Sequence, residues 1–285
     1  MIKTAVSTIL LAILLQGCNS SKESNEGDLK EKVSDEIKGF AKLLSSNKSS
    51  KIVQSGLSSS ESKSSIRNNK FVEKTTIDSC VDGGTKEIVS DIDLDNITQM
   101  TLSAITVDVV VDSCIEYGVK SSGAMTMVIK GLLTTITFTQ DSLFEELEGG
   151  EIVTIFKGSS IKIEEISDSI EEITESTKIE TNRGEKFETI SLVTTETQKG
   201  EDLHSYDSSG SLIYEGVTYR VDKNYDASKT PMVVKNYEKL VSGTAKYYNE
   251  ENQHITVKVL DKNRIKISVD SDNDGDIDEE EIFDL

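Results

Sequence analysis

The chain has 285 residues, with 31 Lys and Arg against 51 Asp and Glu, which gives a formal net charge of −20 at pH 7. This balance argues against a nucleic-acid partner, because binding to phosphates requires clustered Lys and Arg. It also argues against charge-driven docking on anionic lipid. The hydrophobic fraction of 35% is low, but a C-terminal stretch of about 215 residues can still bury one core.

The N-terminus has the features of a secretory signal. Lys3 supplies a positive charge, and the apolar run from Ala5 to Leu15 is too short to cross a bilayer of about 30 Å as a helix. The run ends at Leu15-Gln16-Gly17-Cys18, which resembles the lipobox of bacterial lipoproteins. The resemblance implies that residues 1–17 are removed and that Cys18 is lipidated. The alternative is an ordinary signal peptide that happens to contain a cysteine.

A lipid on Cys18 would attach the chain to a membrane and leave the remaining residues outside the cytoplasm. Asn19 follows this cysteine, at the position where an aspartate resembles an inner-membrane retention signal of enteric bacteria. The predicted location is therefore the cell envelope, with the outer membrane favoured and the periplasmic or surface face left open.

Residues 18–70 are predicted to form a tether, because the stretch from Ser45 to Ile66 is rich in serine and cannot bury enough apolar surface to order itself. One short helix is predicted near residues 28–45, with Asp28 as its cap. Its apolar positions have helical spacing and are Leu29, Val33, Ile37, Phe40 and Leu44. This helix would lie on the body or fray in solution, and a role in binding a partner is the less favoured alternative.

From residue 71 to 285 the apolar residues recur with a period of two, which is typical of strands with one buried face. The alternating positions include Ile105, Val107, Val109, Val111, Met125, Met127, Ile129, Ile136, Phe138, Ile255, Val257, Val259, Ile265, Ile267 and Val269. The intervening turn signals are Gly149-Gly150, Asn182-Arg183-Gly184, Asp207-Ser208-Ser209-Gly210 and Asp261-Lys262-Asn263. The pattern predicts a mainly β domain of antiparallel meander strands, either flat and covered or curled into a half-barrel.

The stretch 161–180 is ambiguous, because Ile163, Ile166, Ile170 and Ile173 have helical spacing. We favour strands there, since the sequence on both sides has the period of strands and threonine recurs nearby.

Besides Cys18, the chain contains Cys80 and Cys114, and an even number of cysteines in an exported chain predicts a disulfide. Each follows Asp-Ser at an apparent strand end and precedes a glycine turn, so two strand ends can lie side by side. Over residues 71–130 this arrangement resembles uncharacterised proteobacterial lipoproteins. Closing the loop would stabilise the fold by about 3–4 kcal/mol. A reactive redox pair is the alternative, which the neighbouring acids disfavour.

The end of the chain, residues 270–281, resembles the EF-hand calcium loop. The resemblance implies side-chain oxygens, a backbone carbonyl and a glycine turn at fixed positions. The matching residues are Asp270, Asp272 and Asp274 through carboxylates, Gly275 at the turn, Asp276 through its carbonyl, Asp278 through a water and Glu281 through both carboxylate oxygens. Because a strand precedes the loop and only residues 282–285 follow it, enough for about one helical turn, we expect a lone structural calcium site. The alternative is an acidic tail that solubilises the chain.

No catalytic residues are predicted. The two histidines, His204 and His254, lie in no recognisable zinc or triad spacing and are expected at the surface. The favoured function is a non-catalytic envelope module that binds another protein or a glycan, or that is structural. The first alternative is a carrier of lipid or another hydrophobic ligand on a curved sheet, in which the row from Met125 to Phe138 would face the ligand. A carboxylate-dependent hydrolase is less favoured.

Overall fold

In the computed structural model of this chain, the described residues are 33–35, 37–38, 74–90, 104–116, 118–200, 202–221, 231–235, 239–261 and 264–284. The predicted signal peptide, Cys18 and most of the predicted tether lie outside them, so those features remain predictions.

The described residues fold almost entirely as β-strands. The strands are β1 Lys74–Ser79, β2 Thr85–Ser90, β3 Ile105–Glu116, β4 Val119–Lys130, β5 Leu133–Phe138, β6 Ser142–Glu146, β7 Ile152–Ile155, β8 Ser160–Ser167, β9 Ile170–Ser176, β10 Lys178–Thr181, β11 Lys186–Gln198, β12 Leu203–Tyr214, β13 Val217–Val221, β14 Met232–Lys235, β15 Lys239–Ser242, β16 Thr244–Tyr248, β17 His254–Asp261, β18 Arg264–Asp270 and β19 Glu279–Asp284. Asp35, Ile37 and Lys38 are helical. The prediction of a mainly β, antiparallel meander fold is confirmed.

The chain divides into two compact units. Among the described residues, the first comprises 74–166 and 172–189, and the second comprises 33–38, 167–171 and 190–284. Strands β1 to β7 and β10 lie wholly in the first unit, whereas β12 to β19 lie wholly in the second.

In the first unit, β1, β2, β3 and β4 pair in sequence as an antiparallel meander. The long strand β4 then pairs with β6 along residues 119–122 and with β5 along residues 125–130. Gly123 lies at the change of partner with φ +143°, and a Cβ there would overlap Ser142. This glycine therefore allows a close approach that bends the strand.

The second unit repeats this layout, because the long strand β12 pairs with β14 along residues 203–206 and with β13 along residues 211–214. Gly210 lies between the two halves with φ +125°, where a Cβ would collide with the backbone of Ser191 and Leu192. The predicted turn at residues 207–210 is wrong, because these residues lie inside β12, where Gly210 allows a close approach of the neighbouring backbone. In the same unit, β16, β17, β18 and β19 form a meander of antiparallel hairpins.

The stretch 161–180 consists of β8, β9 and β10, as we favoured. Its isoleucines alternate in burial, as a strand requires: Ile161 and Ile163 are buried, whereas Ile166 is 54% exposed. In the first unit, Met125, Ile136 and Phe138 belong to the buried core.

Candidate metal centre

The acidic loop connects two paired strands, β18 and β19, at the end of the second unit. Ile265, Ile267 and Val269 alternate along β18 and are fully buried, so the hydrophobic pattern fixes where the strand enters the loop. Asp270 is the last residue of β18 and is only 7% exposed. The first predicted ligand is therefore held by a rigid, buried strand.

Three carboxylates converge on one point of this loop. Oxygen atoms of Asp270, Asp272 and Asp278 lie within 4.8 Å of one another. Carboxylate oxygens are the ligands that calcium prefers, in a flexible coordination shell of six to eight. Three of the predicted ligands are thus brought together.

Backbone donors inside the loop shape it around these carboxylates. The backbone N–H of Gly275 donates to Asp270 Oδ2 at 3.1 Å, and the N–H of Ser271 donates to Asp278 Oδ2 at 2.7 Å. Gly275 has φ +97°, a conformation that L side chains rarely adopt. The predicted glycine turn is present at its expected place.

One oxygen of this cluster is left without a partner. Asp270 Oδ1 is removed from solvent and receives no hydrogen bond from any of the described residues. Leaving a buried acceptor unsatisfied costs about 1–3 kcal/mol, and more when the group is charged. A cation bound between Asp270, Asp272 and Asp278 would satisfy this oxygen, so the residues fit a hard metal ion.

The structure does not bring every predicted side-chain ligand to this cluster, which leaves out the carboxylates of Asp274 and Glu281. Asp274 Oδ1 instead accepts a hydrogen bond of 2.8 Å from the N–H of Asp276. Glu281 lies in β19 opposite Ile267, whereas Glu280 is opposite Ser268.

Cross-strand partners share a face and successive residues alternate. Asp270 is two residues after Ser268, so these two side chains share one face of the hairpin. Glu281, which is opposite Ile267, lies on the other face. A helix after the loop would have turned residue 281 towards the ion, but a strand turns it away. Residues Glu279–Asp284 form the strand β19 after the loop.

The cysteine pair occupies one end of the first meander. Cys80 and Cys114 form a disulfide, with their Cα atoms 5.5 Å apart across a separation of 34 residues. The antiparallel pairing explains this, because Thr85 is opposite both Ser79 in β1 and Asp112 in β3. The two cysteines therefore lie just beyond paired positions on the strands that flank β2.

A buried ion pair lies beside this disulfide and was not predicted. Lys86 Nζ is 2.9 Å from Glu116 Oε2, and both side chains are almost fully buried. Burial lowers the pKa of Lys86, and Glu116 and Asp78 only partly offset it. Burial likewise raises the pKa of Glu116, against the opposing charge of Lys86. Lys86 is two residues before the buried Ile88 in β2, so the two side chains share a face. This spacing is the feature of the sequence that could have predicted a buried Lys86.

His204 is buried, which corrects the expectation of a surface histidine. Its Nδ1 lies 2.7 Å from Glu196 Oε1, and both side chains are enclosed. Burial lowers the pKa of His204, and the nearby Asp202 opposes this only in part. A third buried glutamate, Glu151, lies 3.6 Å from Arg183. Glu116, Glu196 and Glu151 are therefore each buried close to a basic side chain.

Comparison of the chain with protein-family models, with curated proteins and with solved structures gave no match. Within the described part of the chain, none of the helical residues belongs to a helix with the length and hydropathy needed to cross a membrane.

Proposed function

We propose that this chain is a non-catalytic, lipid-anchored protein of the cell envelope, and that its β domain is a binding or structural module stapled by calcium. The observation that carries the calcium role is the convergence of Asp270, Asp272 and Asp278 around a buried oxygen of Asp270 that has no partner. The disulfide between Cys80 and Cys114 supports an oxidising compartment. Anchoring through Cys18 is inferred from the lipobox resemblance.

Calcium would offset a strong local repulsion. The stretch 270–281 contains eight acidic residues and no basic one. Two of its carboxylates have a cation nearby, since Glu280 lies 3.0 Å from Lys266 and Glu281 lies 3.3 Å from Lys38. The ion would bind Asp270, Asp272 and Asp278 and reduce the repulsion among the remaining carboxylates. The C-terminal hairpin of β18 and β19 would therefore be firmer with calcium than without it.

The test is thermal unfolding of the chain processed at Cys18, followed by circular dichroism in calcium, in magnesium and in chelator. Extracellular calcium modules have dissociation constants of about 10⁻⁴–10⁻³ M. At roughly 10 mM calcium, such a site would stabilise the folded state by about 1.4–2.7 kcal/mol. Magnesium should stabilise it less, because it demands smaller and more regular coordination.

Asp270→Asn should abolish most of the calcium response, because it removes the charge of the buried ligand. Asp276→Asn is the matched control in the same loop, since that carboxylate is outside the cluster, and it should leave the response nearly intact. An unfolding curve that is the same in calcium and in chelator would refute the proposal. So would an Asp270→Asn variant that still responds like the wild type.

The anchor has its own test. Cys18→Ser should move the chain from the membrane fraction to the soluble fraction, because the lipid would no longer be attached. A variant that stays with the membrane would show that lipid on Cys18 does not hold the chain there.

A further inference from the structure

The second unit includes a short segment from the predicted tether, which we call the 33–38 segment. Val33 and Ile37 are 1% and 3% exposed, so its apolar side chains are packed away from solvent. The N–H of Ile37 donates to Ser34 Oγ at 3.4 Å, and the N–H of Lys38 donates to the carbonyl of Ser34 at 3.0 Å. Ser34 therefore caps a helical turn that is docked rather than free in solution.

Lys38 connects this segment to the C-terminal strand β19. Its Nζ lies 3.3 Å from Glu281 Oε2 and 3.2 Å from Asp35 Oδ1. The Asp35 side chain is fully exposed, whereas that of Glu281 is 29% exposed, so the contact with Glu281 is the better shielded one. Partial burial would lower the pKa of Lys38, but the nearby carboxylates of Asp35 and Glu281 outweigh it and raise the pKa above its ordinary value.

The hairpin of β18 and β19 thus presents a different acidic side chain on each of its two faces. One face presents Asp270, which belongs to the carboxylate cluster, and the other presents Glu281, which holds Lys38. Asp278 is the residue directly before β19, and its N–H donates to the carbonyl of Val269 at 2.9 Å. An ion that fixes Asp278 would fix the start of the strand that carries Glu281.

We propose that calcium bound at this loop controls the docking of the 33–38 segment against β19. This inference rests on the calcium site of the proposed function. With calcium, β19 is held in register and Glu281 retains Lys38. Without calcium, repulsion among the loop carboxylates loosens β19 and weakens the hold on the segment.

The experiment is hydrogen exchange by mass spectrometry on the chain processed at Cys18, in detergent, with calcium or with chelator. The peptide that contains the amides of Ile37 and Lys38 is the readout, and thermal unfolding of the same samples reports calcium binding. Loss of a partly exposed ion pair such as that between Lys38 and Glu281 should raise the rate of amide exchange in the 33–38 segment roughly threefold. We expect exchange in the wild type to be slower in calcium by about that factor or more.

Glu281→Gln distinguishes calcium binding on one face of the hairpin from docking of the 33–38 segment on the other. It should retain the calcium-dependent shift in melting temperature but lose the calcium-dependent protection of the 33–38 segment. Lys38→Gln should behave in the same way. Lys235→Gln is the matched control, because it breaks a different ion pair of the same unit, 3.2 Å from Asp202, and it should change neither readout.

The outcomes distinguish this inference from the proposed function. A wild type that shows the calcium-dependent melting shift but no change in exchange of the segment overturns the inference alone. Loss of the melting shift in Glu281→Gln would make Glu281 an ion ligand and would overturn the two-face assignment. A wild type with no melting shift overturns the calcium site and this inference together.

Discussion

The ion pair between Lys86 and Glu116 makes the first unit sensitive to the loss of either charge. We consider Lys86→Met, Glu116→Gln and the double variant Lys86→Met/Glu116→Leu. The two charges lie 2.9 Å apart with side-chain exposures of 5% and 6%, so almost no water remains to solvate a charge whose partner is removed. Each single substitution leaves one uncompensated buried charge.

The expected magnitudes follow from that burial. Removing one partner of a buried ion pair costs about 3–5 kcal/mol, whereas replacing both by apolar side chains of similar volume is often nearly neutral. We therefore expect each single variant to lose about 3 kcal/mol of unfolding free energy, and the double variant to lose clearly less than either. A double-mutant cycle then gives a coupling energy that is large and favourable.

The two single variants should respond to pH in opposite directions. In Lys86→Met, burial holds the pKa of Glu116 above its unfolded value, so protonation favours the folded state and the deficit shrinks as the pH falls from 7 towards 4. In Glu116→Gln, burial holds the pKa of Lys86 below its unfolded value. Deprotonation then favours the folded state, and the deficit shrinks as the pH rises from 7 towards 10.

The assay is urea unfolding with the disulfide intact, followed by circular dichroism at several pH values. Lys178→Met is the matched control, because Lys178 lies 3.1 Å from Glu188 but is 64% exposed; it should cost less than about 1 kcal/mol. Single-variant losses below about 1 kcal/mol, or losses that simply add in the double variant, would refute our account of a desolvated pair.

Two further predictions concern a strand bend and a buried histidine. Gly123→Ala should cost about 3 kcal/mol by thermal or urea unfolding, since the new Cβ overlaps Ser142 at positive φ. Gly131→Ala, which has open space at φ +62°, should cost only about 1 kcal/mol, and equal losses would show that the bend at β4 does not need glycine. For His204, burial lowers the folded pKa, so its contribution to stability is present above the unfolded pKa of about 6.5 and is lost as the pH falls through the folded value. The stability difference between the wild type and His204→Gln should therefore shrink between pH 7.5 and 5, and a difference independent of pH would contradict the assigned shift.

The strands and the acidic loop could be predicted because their signals are local. The period of two in Ile255, Val257 and Val259 requires only that one face of β17 be buried, and the structure buries these residues. The carboxylates of Asp270, Asp272 and Asp278 come from nine consecutive residues, so the chain itself limits how far apart they can lie. The disulfide followed from the equivalent contexts of the two cysteines.

The structure also contains features that no local pattern predicts. Lys86 and Glu116 are 30 residues apart, and their contact depends on the register in which β2 and β3 pair. The change of partner strand along β12 occurs where Gly210 closely approaches the backbone of Ser191. In the sequence, this glycine is indistinguishable from one that ends a strand, and the turn prediction failed for that reason.

The sequence by itself therefore determined the strand pattern and the grouping of acidic residues in one loop, because the hydrophobic period and the spacing of these residues act over a few consecutive positions. Only the tertiary structure decided which side chains meet across the sheet, since one residue of strand register exchanges the two faces. Glu281 shows the difference. Its position in the loop pattern implies a calcium ligand, but its place in β19 opposite Ile267 turns it to the other face, where it holds Lys38.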